Sequence, residues 1–364
     1  MTSSIADPAL SVGSRVGRYF GLVSMVPSLF LVLWAAALYV TEAWRGPPDF
    51  PALKHWLENV SLRNIAWIVL ATLAVGLFLH PLQFAMTRLL EGYWGSSLPA
   101  RIALRWRIGH HRRREARLVA RRKVLDRRWR TGLDKILIQR GIDASAIADH
   151  RDELYLSRVG DRFSGLYAAK ESLRAALKSF PTAYPARDRI MPTRLGNALR
   201  SGEDAAGRQY GIDAILTAPH LVLVADESHV RYLRDSRQQF DTAVRLCVVS
   251  LVAFLLTVAT LTTDGWWLLL ALAPYTLTYV AYRASVASAT DYMVAVATVI
   301  DLNRFNLYKS LHVELPRNTV EERWNNKKLM ALLDQQKDSS IRYEHPATGT
   351  PSTGGTPPTP PGTP

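Results

Sequence analysis

The sequence predicts an all-α membrane protein with four transmembrane helices in a 2+2 arrangement and long cytoplasmic helical extensions. Three observations predict it: four apolar runs of bilayer length, aromatic residues gathered at the ends of those runs, and positive charge concentrated on one side of them. The chain has 364 residues, with 45 Lys and Arg against 31 Asp and Glu, a net charge of +14. Hydrophobic residues make up 48% and charged residues 21%, which excludes a largely disordered chain. The single cysteine, Cys247, excludes a disulfide framework within one chain and a multi-cysteine metal site.

The runs are Phe20 to Val40 (21 residues), Ile65 to Thr87 (23), Leu246 to Thr263 (18) and Trp266 to Tyr282 (17), none containing Lys or Arg inside its bounds. Crossing a hydrocarbon core of ~30 Å takes about 20 helical residues, with a range of about 17–25. In lipid the backbone must satisfy its own polar groups, so each run is expected to be helical. The first exceeds the roughly 7–15 apolar residues of a signal peptide and reads as a retained helix. Tyr39, Trp44, Trp67, Trp266 and Trp267 fall at one membrane face, and Tyr19, Tyr93, Trp94 and Tyr282 at the other, as rings that favour the headgroup level should.

Lys and Arg near the span ends fix orientation. Arg15, Arg18, Arg88, Arg101, Arg105, Arg107, Arg231, Arg234, Arg237, Arg245 and Arg283 lie on one side, against Arg45, Lys54 and Arg63 on the other. Both termini and the centre of the chain are therefore expected in the cytoplasm. The organisation that follows is a cytoplasmic N-terminus (1–19), a first membrane hairpin (20–87), a cytoplasmic region (88–245), a second hairpin (246–282), a cytoplasmic helical stalk (283–345) and a Pro/Gly/Thr tail (346–364) that reads as disordered. The outer loop with Gly46, Pro47, Pro48 and Pro51 reads as irregular chain, too short for a domain.

Residues 101–130 carry 13 Lys and Arg and two acids, a net of +11. Arg, Ala and Leu favour helix, and Leu118, Leu125 and Trp129 share one stripe. Three readings of this arm stand together: a solvated helix whose charge fixes topology, contact with anionic lipid headgroups through Arg112, Arg113, Arg114, Arg117, Arg121, Arg122 and Lys123, and nucleic-acid binding. No recognised nucleic-acid module accompanies the charge, which sets the last behind the others.

In the cytoplasmic region, Phe163, Leu166, Tyr167, Leu173, Leu177 and Phe180 follow a helical stripe ended by Pro181. Thr193 is a candidate N-cap without the acid of a capping box. Leu221 to Val224 fits a strand or a re-entrant apolar contact. Val230, Leu233, Phe240 and Val244 suggest a helix entering the third span. After the fourth span nothing stops a helix until Pro316, and Ala281, Ser285 and Ala289 let another helix approach closely.

The stretch PTRLGNALRSGEDAAGRQYGID (Pro192 to Asp213), with Asp301–Phe305 and Leu315–Pro316, resembles uncharacterised multi-pass membrane proteins of high-GC Gram-positive bacteria. The resemblance implies a bacterial plasma membrane. It implies no activity.

The chain has no P-loop, GxSxG elbow, HExxH or dinucleotide fingerprint, and reads as non-enzymatic, with no cofactor and no metal. Cys247 reads as a small apolar residue. His110 and His111 sit among arginines that disfavour a metal ion, and the run Asp149, His150, Asp152, Glu153 reads as a solvated helix start. Within the spans, Pro27, His80 and Pro81 fall at similar expected depth. Either they pack ordinarily, or they form a paired kink lining a polar pathway. The leading functional expectation is a membrane-anchored scaffold or sensor that contacts the anionic inner leaflet. The alternative is a homo-oligomeric ion channel.

Overall fold

The computed structural model describes residues 25–139, 141, 184–263, 265–335 and 341–344. The stripe at 163–180, the Asp149 run and the tail lie outside the described residues. The described residues form helices α1 (Met25–Val40), α2 (Phe50–Glu58), α3 (Leu62–Glu91), α4 (Leu98–Gln139), α5 (Arg194–Ala205), α6 (Ala214–Val224), α7 (Glu227–Leu261), α8 (Leu272–Ser310) and α9 (Thr319–Leu333). They contain no strand, only an isolated antiparallel bridge between Val313 and Tyr343.

Three helical segments are long and apolar enough to cross a membrane: Leu62–Glu91, Glu227–Leu261 and Gly265–Ser310. The last joins a 3₁₀ segment, Gly265–Ala271, to α8. The described part of α1 is shorter, since residues 20–24 of its apolar run lie outside the described residues. α1 nevertheless packs on the others. Trp34 Nε1 donates to Thr257 Oγ1 at 2.8 Å, and Gly76 lies against Ser28, where an added Cβ would sit 3.5 Å from the hydroxyl.

α7 and α8 form one antiparallel hairpin. Phe254 meets Tyr275, Phe240 stacks on Tyr292, and His229 pairs with Asn303, so moving back along α7 matches moving forward along α8. The 35 residues of α7 rise about 52 Å, some 20 Å more than a ~30 Å hydrocarbon core. The surplus extends past the apolar part of the helix. The small residues Ala281, Ser285 and Ala289 are all buried within this packing.

The part of α7 and α8 beyond the apolar stretch is the core of a helical bundle. Leu195 and Leu199 of α5, Leu221 of α6, Phe240 and Val244 of α7, Ile300, Leu307 and Tyr308 of α8 and Leu329 of α9 bury one another. Each short helix starts at a cap. Thr193 accepts from Gly196 N, Asp213 from Ile215 N and Leu216 N, and Asn318 from Val320 N and Glu321 N. The Leu221–Val224 run is the end of α6, a helix that contains Pro219. α8 ends at Ser310, six residues before Pro316, because His312 takes a left-handed φ of 53° and α9 folds back. Between α1 and α3, Pro51 lies in the first turn of a helix (α2, capped by Asp49) instead of irregular chain, since its missing N–H costs nothing at a helix start.

α5 docks directly beneath α3. Gly92 ends α3 with a φ of 107°, and Pro192 lies so close that a Cβ there would clash. The Tyr282 hydroxyl, on α8, accepts from the amides of Arg194 (3.1 Å) and Leu195 (3.4 Å) at the start of α5.

Candidate functional site

α4 leaves this junction at Leu98, seven residues after α3 ends. One face of its first half is docked on the segment before α5. Arg107 Nε donates to Pro192 O at 3.3 Å, His111 Nδ1 pairs with Tyr184 Oη at 2.9 Å, and Arg187 bridges Glu115 at 3.5 Å. Leu104, Ile108, His111 and Glu115 lie on this face, all at least partly covered.

His111 is 2% exposed, and its Nε2 meets no hydrogen-bond partner among the described residues. Burial, reinforced by Arg107, His110, Arg114 and Arg194, pushes its pKa down to about 4. It therefore sits between α4 and the segment before α5 as a neutral ring. Burial likewise raises the Tyr184 hydroxyl above its ordinary value.

At about 100° per residue, the opposite side of α4 carries Leu98, Ile102 and Trp106, then Ala116, Ala120 and Val124. Leu98 is 71% exposed, Ile102 61%, Trp106 67% and Val124 50%. Arg113 interrupts this apolar face. Exposed Arg101, Arg105 and Arg112 flank one edge and exposed Arg117 and Arg121 the other. An apolar stripe rimmed by arginine is the pattern of a helix that lies in a membrane interface.

The basic residues singled out from sequence sort as follows. Arg112, Arg113, Arg117, Arg121 and Lys123 are exposed, and Arg114 is partly covered beside the docked segment. Arg122 lies on α4, but its side chain is outside the described residues, as are those of Leu125 and Trp129. The exposed stripe from Leu98 was missed. Its signal was the repeat of four through Leu98, Ile102 and Trp106, at the edge of the basic block.

The intramembrane residues are not brought together. Pro27 is buried against the neighbouring helices, whereas His80 and Pro81 are exposed on the outer side of α3. Ser28 lies level with Gly76, five residues from Pro81, a depth difference of about 7 Å. The polar residue that α3 turns inward is Gln83. Its Nε2 donates to the Asp241 carbonyl (3.2 Å) and carboxylate (3.3 Å), and its Oε1 accepts from Arg245 Nε at 3.3 Å. Asp241 in turn pairs with Arg237 at 3.2 Å. Cys247 is buried.

Among the described residues no group of three or more His, Cys, Asp or Glu is placed to hold a metal ion. No protein-family model matches the chain, and no curated protein or solved structure matches it.

Proposed function

We propose that the chain is a four-span protein of the bacterial plasma membrane with both termini cytoplasmic, and that it acts as a non-enzymatic scaffold or sensor. In this reading α4 is its contact with the anionic inner leaflet. The observation that carries the reading is the exposed Leu98–Ile102–Trp106 stripe, edged by exposed Arg101 and Arg105 and continued toward Val124 between Arg112 and Arg117–Arg121, on the side of α4 away from its docked face. Apolar side chains settle at the acyl boundary, and each basic residue near an anionic surface contributes about 1 kcal/mol.

The remaining parts of the proposal have their own supports. Continuing α1 to Phe20 gives 21 apolar residues, about 31 Å of helix, beside three helices of spanning length. The 11-to-3 excess of Lys and Arg supports the orientation. The resemblance of 192–213 and 301–305 to membrane proteins of high-GC Gram-positive bacteria supports the plasma membrane.

Hydrogen exchange on the whole protein in lipid nanodiscs tests the lipid contact. The α4 amides from 98 to 124 should exchange more slowly in anionic than in zwitterionic nanodiscs. The difference should shrink near 1 M salt, where screening acts within about 3 Å. It should also shrink when Arg112, Arg113, Arg117 and Arg121 are replaced by Gln. Equal exchange in both lipids contradicts the reading.

A further inference from the structure

Three contacts set the helices level with one another. Trp34 of α1 meets Thr257 of α7, Gln83 of α3 meets Asp241 of α7, and Ser28 of α1 lies against Gly76 of α3. These agree only if α1 runs with α7 and α3 runs against it. Ser28 then falls near Leu251 by one count and Gly76 near Val248 by the other. Followed away from Ser28 and Gly76, the end of α1 at Val40 comes level with Asn64, in the first turn of α3, and with Thr263, just past α7. The ends of all three helices share one plane, at the end of α3 opposite α4. Between α1 and α3 lies α2, pinned to that plane at both ends. The amide of its N-cap, Asp49, donates to Thr41 O at 3.0 Å, and only Asn59, Val60 and Ser61 separate Glu58 from α3. Phe50 meets Trp267, with 5.4 Å between ring centres, at the same end of the α7–α8 hairpin. The nine residues of α2, about 13 Å long, therefore run along the plane and not away from it.

α2 is sharply two-sided. At about 100° per residue, Phe50, Leu53, Trp56 and Leu57 share one side and Lys54, His55 and Glu58 the other. No residue of α2 is buried, and Phe50 is 41% and Leu57 59% exposed. Lys54 pairs with Glu58 at 3.8 Å, both well exposed. A helix this short is marginal in water without a surface to cover its apolar side. The exposed apolar surface of α3, one of the helices long enough to cross a membrane, begins at the same level with Leu62, Ile65 and Trp67. Whatever surrounds that surface reaches the apolar side of α2.

We propose that α2 is an interfacial helix, its Phe50–Leu53–Leu57 side seated at the acyl boundary of the leaflet opposite α4 and its Lys54–Glu58 side in water. The inference rests on the membrane reading given above, but not on any contact between α4 and lipid. Lys54 and Glu58 cancel within α2, so it holds lipid by apolar contact and is indifferent to headgroup charge. In this it differs from the arginine-edged face of α4.

The test uses the full chain in phosphatidylcholine nanodiscs, with an environment-sensitive fluorophore on a single added cysteine, since Cys247 is buried. The variants are Leu57→Cys on the apolar side of α2, Lys54→Cys on its polar side, and Leu77→Cys on the exposed surface of α3, all at exposed positions that tolerate a label. Each is quenched by lipid carrying a nitroxide on its acyl chain and, separately, by aqueous iodide. Lipid should quench the label at 57 several-fold more than the label at 54, and iodide should do the reverse. Phosphatidylglycerol nanodiscs should leave the lipid quenching at 57 unchanged. Where the label at 77 is quenched by lipid, equal quenching at 54 and 57 overturns the proposal while the membrane reading stands. A label at 57 shielded from both quenchers overturns it too, since protein would then cover that side. Lipid quenching at 57 that appears only with phosphatidylglycerol contradicts the apolar basis of the contact. A label at 77 quenched by iodide and not by lipid overturns the membrane reading, and the inference with it.

Discussion

The hydroxyl of Thr193 donates to the carbonyl of Glu91 at 2.7 Å while accepting the amide of Gly196 at 3.0 Å. One side chain thus caps the start of α5 and ties it to an orphan carbonyl at the end of α3. Gly196 completes the joint, because a Cβ there would stand 2.2 Å from the Glu91 carbonyl oxygen. Gly196→Ala should therefore destabilise the protein by on the order of 1–3 kcal/mol, the cost of overpacking against rigid backbone. Thr193→Ala should cost about 1 kcal/mol, through the lost cap. Chemical denaturation of the detergent-solubilised protein checks both. A neutral Gly196→Ala would mean that α5 does not seat under α3.

A second prediction concerns Arg304 and Glu322. Their side chains pair at 2.8 Å, both largely buried, and the guanidinium lies 4.1 Å from the Tyr210 ring centre and 4.3 Å from that of Phe305. Close by, the Tyr308 hydroxyl donates to Asn326 Oδ1 and Asn326 Nδ2 donates to Tyr210 O. Removing one partner of a buried pair strands the other, at a cost of about 3–5 kcal/mol. Glu322→Ala should approach that loss, whereas the exposed pair Arg45–Glu42 should be nearly silent on Glu42→Ala. Similar losses from the two variants would contradict the packing of α9 on α8.

The neutral state of His111 sets a pH dependence. Its folded pKa of about 4 lies below its ordinary value of 6.5, so the unfolded chain binds the extra proton between those values. Stability should be fully present above about pH 6.5 and should fall as pH drops toward 4, by up to roughly 3 kcal/mol. His111→Phe removes that titration. The difference between wild-type and variant stabilities, measured at a series of pH values, should change across this window. A difference that stays flat would show that His111 is not held neutral.

The Trp34–Thr257 hydrogen bond ties α1 to α7. Trp34→Phe should cost about 0.6 kcal/mol or a little more, the scale of interhelical hydrogen bonds in membranes. Measuring unfolding of the protein in mixed micelles would read it. A loss of several kcal/mol would instead mean that the indole fills space no other residue reaches.

Much of this fold was legible in the sequence because bilayer spans and caps leave local signals. Three of the four apolar runs lie in helices long enough to span, Thr193 marks the start of α5, and Val230 to Val244 lie on the part of α7 that leads into its apolar run. What was not legible depends on rotation about helix axes. His80 and Gln83 sit three residues apart, yet only Gln83 turns toward Asp241. The same holds for α4, where both faces carry apolar residues. Only the docking of Tyr184, Arg187 and Pro192 tells which face is occupied and which is left open. The run Leu221–Val224 is too short for periodicity to tell helix from strand, and it lies at the end of α6.

The most direct test of the central claim is the depth of α4's open face in a bilayer. Cys247 is the single cysteine and is buried, so a nitroxide can be placed selectively on Ile102→Cys, with Trp324→Cys on exposed α9 as the control. The account predicts that in anionic liposomes the label at 102 is relaxed by oxygen and shielded from a water-soluble nickel chelate, while the label at 324 is open to the chelate. Equal exposure of both labels to the chelate would contradict it.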